Sequence, residues 1–293
     1  MPNSYKHRSG DRKDGRLLRS LSASDKFIPY SHPDRDGSSY FYEEDFDVTE
    51  AEKCLQLEKE NGYEDIGFLH FFIAAYVRCV SMLPGLNRFV VGRHLFARND
   101  IDVVLTVKRS ATVEGSETQV KIRFEPTDTI FDVYRKINER IDELKTEDIS
   151  GTREDFAEAI ANAPRPFVRL GFFVLRMLDY FGWLPQNIMD SSLNHASLLI
   201  SDAGSYNTAP VYKQIGNYGT LPFYLSFGKS QHVFEMERSG LVTDTRHIHC
   251  KVTLDSRLAE PRYYGQFLNA MRYLFAHPDI LERSPSRVVE DVG

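Results

Sequence analysis

The sequence predicts a mixed α/β fold in which a central mixed sheet is flanked by helices. Strand-like runs alternate with helical runs along the chain, and no repeat, low-complexity segment or long linker divides it. At 293 residues and 42% hydrophobic composition, the chain can bury a substantial core. We therefore expect one large domain at 26–283, a flexible basic tail at 1–25 and a short tail at 284–293.

The predicted strands are short runs rich in β-branched and aromatic residues, bounded by turn residues. In the first of them, aromatic and acidic residues alternate; the turn VEGSE joins the third and fourth as a hairpin. In chain order the runs are SSYFYEEDFDVT, RFVV, DVVLTVK, QVKIRF, ASLLISD, LPFYLSFG, HVFEMER and RHIHCKVTL.

The predicted helices differ in how their apolar residues are distributed. Thr49 is placed to cap the first helix, and Pro84 ends the second, which is apolar on nearly every side and therefore predicts a buried helix. The third carries a single apolar stripe. In chain order the runs are AEKCLQLEKENG, DIGFLHFFIAAYVRCVSML, TIFDVYRKINERIDELK, REDFAEAIANA, FVRLGFFVLRMLDYFGWLP and RYYGQFLNAMRYLFAHP.

Composition excludes several classes of function. The formal charge of −6 gives the chain no general attraction to nucleic acid. The basic N-terminus lacks the apolar run of a signal peptide, and no apolar run approaches the roughly 20 residues of a membrane span. Cys54, Cys79 and Cys250 form no paired motif, which is typical of a reducing compartment. We expect a cytoplasmic protein.

Two further segments have a plain interpretation and a functional one. His247 and His249 share one face of a strand, but no third ligand at helpful spacing is visible, so we predict structural or solvent-facing histidines and no metal. The apolar helix at 167–184 carries only Arg169 and Arg176 on its polar strip. Core or subunit packing is therefore favoured over a membrane surface.

Four motifs occur in a fixed order: FDVT at 46–49, PGLN at 84–87, ISDAG at 200–204 and DSRLAEP at 255–261. Together they resemble the catalytic domain of dihydrolipoyl acyltransferases, the core subunits of 2-oxo acid dehydrogenase complexes. The chain most resembles the stand-alone bacterial members of that family. Chloramphenicol acetyltransferase belongs to the same superfamily. It spans most of residues 16–283, with a longer middle near 167–184.

The resemblance implies a chloramphenicol acetyltransferase-like, coenzyme A-dependent acyltransferase fold that assembles as a homotrimer. The active site would lie between subunits, with coenzyme A or acyl-coenzyme A entering from one side and the acyl acceptor from the other. A histidine of the family removes a proton from the acceptor, and a serine, here Ser201, stabilises the oxyanion. Asp255 and Arg257 match the residues that hold the catalytic corner.

The chain departs from this pattern where the base belongs. Ser256 replaces the histidine, and an unassisted hydroxyl is too weak a base for a thiol. Glu260 and Pro261 stand where the family has Asp and Gly, and proline restricts the backbone there. His249 and His195 lie too many residues from the corner to replace the base along an extended strand.

We therefore predict a homologue with lost or weakened acyl transfer, a pseudoenzyme that retains coenzyme A or acyl-ligand binding. One alternative is an active acyltransferase that uses Glu260 or a base on the substrate. The other is an interaction protein that docks on a membrane or a partner. With 293 residues there is no room for a lipoyl domain and its linker, so we expect no lipoyl attachment.

Overall fold

The structure is a computed structural model that describes residues 8–108, 117–146, 162–236 and 242–291. The strands are β1 (Gly15–Leu17), β2 (Ser39–Asp47), β3 (Arg88–Val91), β4 (His94–Arg98), β5 (Ile101–Lys108), β6 (Glu117–Phe124), β7 (Leu198–Asp202), β8 (Phe223–Phe227), β9 (Gln231–Met236) and β10 (Val242–Asp255). The helices are α1 (Ala23–Ser31), α2 (Thr49–Glu60), α3 (Phe68–Met82), α4 (Ile130–Thr146), α5 (Arg165–Tyr180), α6 (Gln186–Ser191) and α7 (Pro261–Ala276).

Among the described residues, seven strands form one mixed sheet in the order β2-β10-β8-β7-β5-β6, with β9 paired to β10. Strand β7 runs parallel to both β5 and β8, whereas the other pairs are antiparallel. A parallel pair needs a long crossover, and the β5–β7 connection contains α4, α5 and α6. The predicted mixed sheet flanked by helices is confirmed.

The two faces of the sheet have different covers because side chains alternate along each strand. Ile200, Leu225 and Val252 lie side by side on one face, in the main core built with α2, α3, α4 and α7. Leu199 and Tyr224 point to the other face and pack in a smaller cluster under the loop between β7 and β8. Ser201, which follows Ile200 on β7, therefore lies on the second face.

The N-terminal segment differs from the predicted tail. From Arg8 onward it is structured: β1 pairs with β4 in a second, three-stranded sheet, and α1 follows. Arg12 is buried and ion-paired with Asp14 and Asp179. Basic residues that composition alone assigns to a solvated tail instead find carboxylate partners far along the chain.

The C-terminal tail also has fixed contacts. The Val289 amide donates to the Ser81 carbonyl, and Arg88 forms an ion pair with Asp291. The turn VEGSE and the helix predicted over REDFAEAIANA lie largely outside the described residues. Strands β1 and β4 and helix α1 have no counterpart in the sequence prediction.

The apolar run at 167–184 is helical as far as Tyr180, as predicted, but apart from buried Leu184 in the turn after the helix, its large apolar side chains lie outside this chain's core. In α5 only Asp179 is buried, and large apolar side chains such as Phe167 and Phe173 are exposed. Of the predicted core or subunit packing, packing in this chain's core is therefore wrong, and subunit packing stays a prediction, because continuous apolarity does not say which surface covers a helix. No helix in the described residues has the length and hydrophobicity needed to cross a membrane.

Candidate functional site

The end of β10 forms a buried, fully paired corner. Asp255 is 1% exposed, and its two carboxylate oxygens accept hydrogen bonds from Arg257 Nε at 2.8 Å and Nη2 at 2.7 Å. The Arg257 backbone N–H also donates to Asp255 Oδ1, at 3.1 Å. Tyr264, in the first turns of α7, donates to the Asp255 carbonyl at 2.8 Å. The predicted corner pair is therefore formed, and it joins the sheet to the last helix.

Arg35 is the partner that sequence reasoning missed. Its Nε lies 3.4 Å from Asp255 Oδ2, and its Nη2 donates to the Gly219 carbonyl at 2.6 Å. Gly219 has a φ of +84°, and a Cβ there would lie 2.4 Å from the Asn194 carbonyl oxygen, so only glycine fits. Burial lowers the pKa of Arg35 to about 10, against the opposing effect of Asp255. No sequence signal links Arg35 with Asp255, which lies 220 positions later in the chain.

Ser256 lies beside this pair without a partner for its side chain. Its backbone N–H donates to the Ser38 carbonyl at 2.9 Å, and the residue is half-buried. Among the described residues, no side chain or backbone group hydrogen-bonds its hydroxyl. No base is placed to take its proton, so the hydroxyl is neither a base nor an activated nucleophile within one chain.

Glu260 does not supply the missing base inside the chain. It precedes Pro261, which begins α7 at a position where proline is well tolerated. Glu260 is exposed, and its side chain does not cap the helix. A carboxylate becomes a usable base for a thiol only when it is strongly desolvated, and no described group shields Glu260 from water.

Ser201 lies near the end of β7, on the second face of the sheet and half-buried. It is aligned with Ser226 of β8, which in turn is aligned with Lys251 of β10. The turn that follows is tight, because a Cβ on Gly204 would lie 2.8 Å from the Lys229 backbone nitrogen. The ISDAG motif thus holds Ser201 at a defined strand end.

The structure does not bring Ser201 and Ser256 together within one chain. Lys251, which is aligned with Ser201, is five residues before Ser256 on an antiparallel strand two places away. At about 3.3 Å per residue and about 4.8 Å per strand, the two serines are roughly 19 Å apart. A site that uses both positions therefore needs a second copy of the chain.

The histidines have other partners. His249 lies 2.8 Å from Asp45 and 3.0 Å from Glu43 on the outer face of β2, and His247 contacts Thr245 at 3.1 Å. In the described parts of the chain, no group of three or more His, Cys, Asp or Glu side chains is arranged to hold a metal ion. The two histidines are half-buried or partly exposed side chains with local partners, as the plain interpretation predicts.

His195 is buried at the start of β7, where its Nδ1 lies 2.8 Å from Ser192 Oγ and its Nε2 lies 3.4 Å from Asp179 Oδ2. Burial alone would raise the pKa of Asp179, but His195 and Arg12 hold that pKa below its ordinary value. The adjoining cavity is about 10 Å³, which leaves room for no more than a water molecule. This cluster is therefore a structural ion-pair network.

A larger cavity of about 340 Å³ lies next to the corner. Its walls carry four guanidinium groups, from Arg35, Arg93, Arg176 and Arg257, against the carboxylates of Asp34 and Asp179. Volumes of this order hold small ligands. Arg35 and Arg257 are already paired with Asp255, so Arg93 and Arg176 are the cations that favour a ligand with a phosphate or carboxylate group.

The central mixed sheet and the crossover helices have the chloramphenicol acetyltransferase-like fold, as comparison with solved structures shows. A probable dihydrolipoamide acetyltransferase from Listeria monocytogenes has a TM-score of 0.57 and 14% identity, covering 92% of this chain and 96% of its own. The cubic core of the pyruvate dehydrogenase multienzyme complex has a TM-score of 0.56 and 13% identity, covering 96% and 99%.

Chloramphenicol acetyltransferase itself is similar over 89% of this chain and 99% of its own, with a TM-score of 0.54 and 11% identity. No protein-family model and no curated protein matches the sequence. At these identities the likeness establishes the fold, and the predicted resemblance is confirmed at that level.

Proposed function

We propose that this chain is a coenzyme A-dependent acyltransferase homologue whose acyl transfer is lost or strongly weakened and whose ligand pocket persists. One observation carries the proposal: the hydroxyl of Ser256, the residue that the resemblance aligns with the family's general base, has no hydrogen-bond partner among the described residues. The ion pairs of the corner are formed around it, since Asp255 is paired with both Arg257 and Arg35.

The chemistry that is missing is a single proton transfer. In acyl transfer, a base takes the proton of the acceptor thiol or amine, the acceptor attacks the thioester carbonyl, and the oxyanion is stabilised until the coenzyme A thiolate leaves. Ser201 matches the oxyanion-stabilising serine by resemblance. The roughly 19 Å between Ser201 and Ser256 in one chain supports a site assembled between copies, as in a homotrimer.

Acyl-coenzyme A turnover with thiol and amine acceptors tests the proposal directly. We expect turnover by the native chain to be indistinguishable from the uncatalysed rate, and Ser256→His to raise it. Ser256→Ala is the matched control, because it changes the same position without adding a base.

The alternative is an active enzyme in which Glu260 is the base. Native turnover that disappears in Glu260→Gln and persists in Ser256→Ala would establish that alternative. Calorimetric titration with coenzyme A is the second readout. Binding without turnover supports a retained pocket, whereas neither binding nor turnover, in the native chain and in Ser256→His alike, overturns the proposal.

A further inference from the structure

Helix α5 has an apolar surface that the rest of the described chain leaves uncovered. The body of the protein contacts one side of the helix, through half-buried Val168, Leu175 and Leu178 and buried Asp179. We call the uncovered remainder the α5 face. Its exposed large side chains, on the helix and the turn after it, are Phe167, Leu170, Phe172, Phe173, Val174, Met177, Tyr180, Phe181 and Trp183.

The α5 face carries positive charge on one edge. Arg165, Arg169 and Arg176 fall within about 40° of one another around the helix axis at 3.6 residues per turn. Among the described residues, none of the three has an ion pair or a hydrogen bond from its guanidinium. Residues 162–178 contain no acidic residue, although the chain as a whole has a formal charge of −6.

A second basic and aromatic patch adjoins the C-terminal end of α5. The tip of the β3–β4 hairpin is close to it, because a Cβ on Gly92 would lie 2.9 Å from the Tyr180 carbonyl oxygen. The next residue, Arg93, places its guanidinium 5.6 Å from the centre of the Tyr30 ring. Tyr30 and Phe27, one turn apart on α1, are 53% and 65% exposed. The apolar and basic surface thus extends beyond one helix.

This combination fits an anionic lipid surface. An interfacial helix has an apolar face bordered by basic residues, with aromatic side chains at the level of the headgroups. The protein body covers the side of α5 opposite the apolar face, and the three arginines border that face. The aromatic side chains Tyr180, Phe181 and Trp183 lie at its C-terminal end, on the last residue of the helix and in the turn after it. At 16 residues the helix is about 24 Å long and lies on a bilayer rather than spanning it.

A second copy of the chain would match the charge of the α5 face less well than an anionic bilayer does. The apolar groove lined by Leu17, Leu18, Leu21 and Leu95 also carries Arg19, Lys26 and Arg93, which repel the arginine edge of α5. Exposed Phe41 has acidic neighbours on β2, but Glu43 and Asp45 are already paired with His249.

We propose that the α5 face docks the protein on an anionic lipid bilayer, with the apolar side chains among the headgroups and the three arginines at the lipid phosphates. This proposal does not require acyl transfer at the corner, although Arg176 and Tyr180 also line the cavity beside it. Trp183 is the single tryptophan of the chain and is 70% exposed, so its fluorescence reports on this surface alone.

The test titrates the full chain with phosphatidylcholine vesicles and with equimolar phosphatidylcholine–phosphatidylglycerol vesicles. We expect a blue shift of Trp183 emission and co-sedimentation with the anionic vesicles, weakened by salt, and little of either with phosphatidylcholine alone. The triple variant Arg165→Gln, Arg169→Gln, Arg176→Gln should bind about a hundredfold more weakly. Leu170→Glu with Phe173→Glu should abolish binding.

Phe41→Glu and Arg135→Gln are matched controls on exposed surfaces away from α5, and they should leave binding unchanged. Far-UV circular dichroism melting confirms that each variant is folded. Absence of both signals with anionic vesicles overturns the proposal, as does binding that the arginine substitutions leave unchanged. Blue emission without lipid, in an oligomer that Leu170→Glu with Phe173→Glu dissociates, instead identifies the α5 face as an interface between copies.

Discussion

Helices α3 and α5 have similar apolar sequences and opposite environments. In α3, twelve of the fifteen residues are buried, including Phe71 and Phe72, whereas α5 buries only Asp179 among sixteen. Helix α3 lies in the main core between the sheet and α4 and α7. The comparison teaches that apolarity sets the need for a cover, and that the position of the helix in the fold decides whether the chain itself supplies it.

Polar residues of the two helices show the same contrast. In α3, Arg78 donates to the carbonyls of Ile280 and Arg283, and His70 Nδ1 accepts from the Gly67 N–H. In α5, Arg169 and Arg176 have no hydrogen-bond or ion-pair partner in the described residues. The fold therefore supplies partners for Arg78 and for His70 Nδ1, although Arg78 Nε and His70 Nε2 are buried without a described partner, whereas the exposed arginines of α5 are available to bind something else.

The largest expected effect is on the free energy of unfolding, because side chains of α3 are part of the core and those of α5 are not. Phe72→Ala in α3 should lower the free energy of unfolding by about 3–5 kcal/mol, because it opens a cavity beside Phe46, Phe227 and Phe275. Phe173→Ala in α5 should change it by less than about 0.5 kcal/mol. Urea denaturation followed by circular dichroism measures both. Equal losses would mean that α5 is part of a stabilising core.

The next effect is a pH dependence that belongs to α3 alone. Burial lowers the pKa of His70 to about 4, from an ordinary value of 6.5. As the pH falls from about 6.5 to about 4, the unfolded chain binds a proton that folded His70 does not, so the free energy of unfolding decreases, by up to about 3 kcal/mol.

The control for this pH dependence is His70→Gln, whose amide oxygen can still accept the Gly67 N–H. Urea denaturation at a series of pH values gives the difference between native and variant chains, which removes the contribution of other groups. That difference should change through the window from about 6.5 to about 4. Parallel curves would show that His70 takes up its proton equally in both states.

A smaller effect tests the paired arginine of α3 against an unpaired one of α5. Arg78→Met leaves the carbonyls of Ile280 and Arg283 without their donor and should cost about 1–3 kcal/mol of unfolding free energy. Arg169→Met should be neutral within about 0.5 kcal/mol. The same urea titrations apply, and a cost at Arg169 comparable to that at Arg78 would contradict the comparison.

The smallest expected effect is an increase in the free energy of unfolding. Gly171 lies inside α5, and a Cβ added there meets no atom within 4 Å. Gly171→Ala should therefore stabilise the protein by about 0.5–1 kcal/mol, through the helix propensity of alanine. Thermal melting measures it. Destabilisation would show that a neighbouring surface packs against this position.

Local sequence patterns predicted most of the central sheet and the principal helices, because hydrophobic period and turn residues act over short distances. They failed at β1, β4 and α1. There the chain is held by contacts with distant residues, such as Arg12 with Asp179. The Asp255–Arg257 pair was predicted from a resemblance, and Arg35 was not, because nothing in the sequence joins a loop residue to a strand end 220 positions later.

By itself, the sequence predicted that a mixed α/β core forms, and its resemblance to an acyltransferase family led us to expect Ser256 at the position of that family's base. Only the tertiary structure decided that the Ser256 hydroxyl has no partner within the described chain and that Ser201 is roughly 19 Å away. It also decided that α3 is covered and α5 is not. The physical reason is that side-chain period fixes which face of an element is apolar, whereas long-range packing fixes what lies against that face.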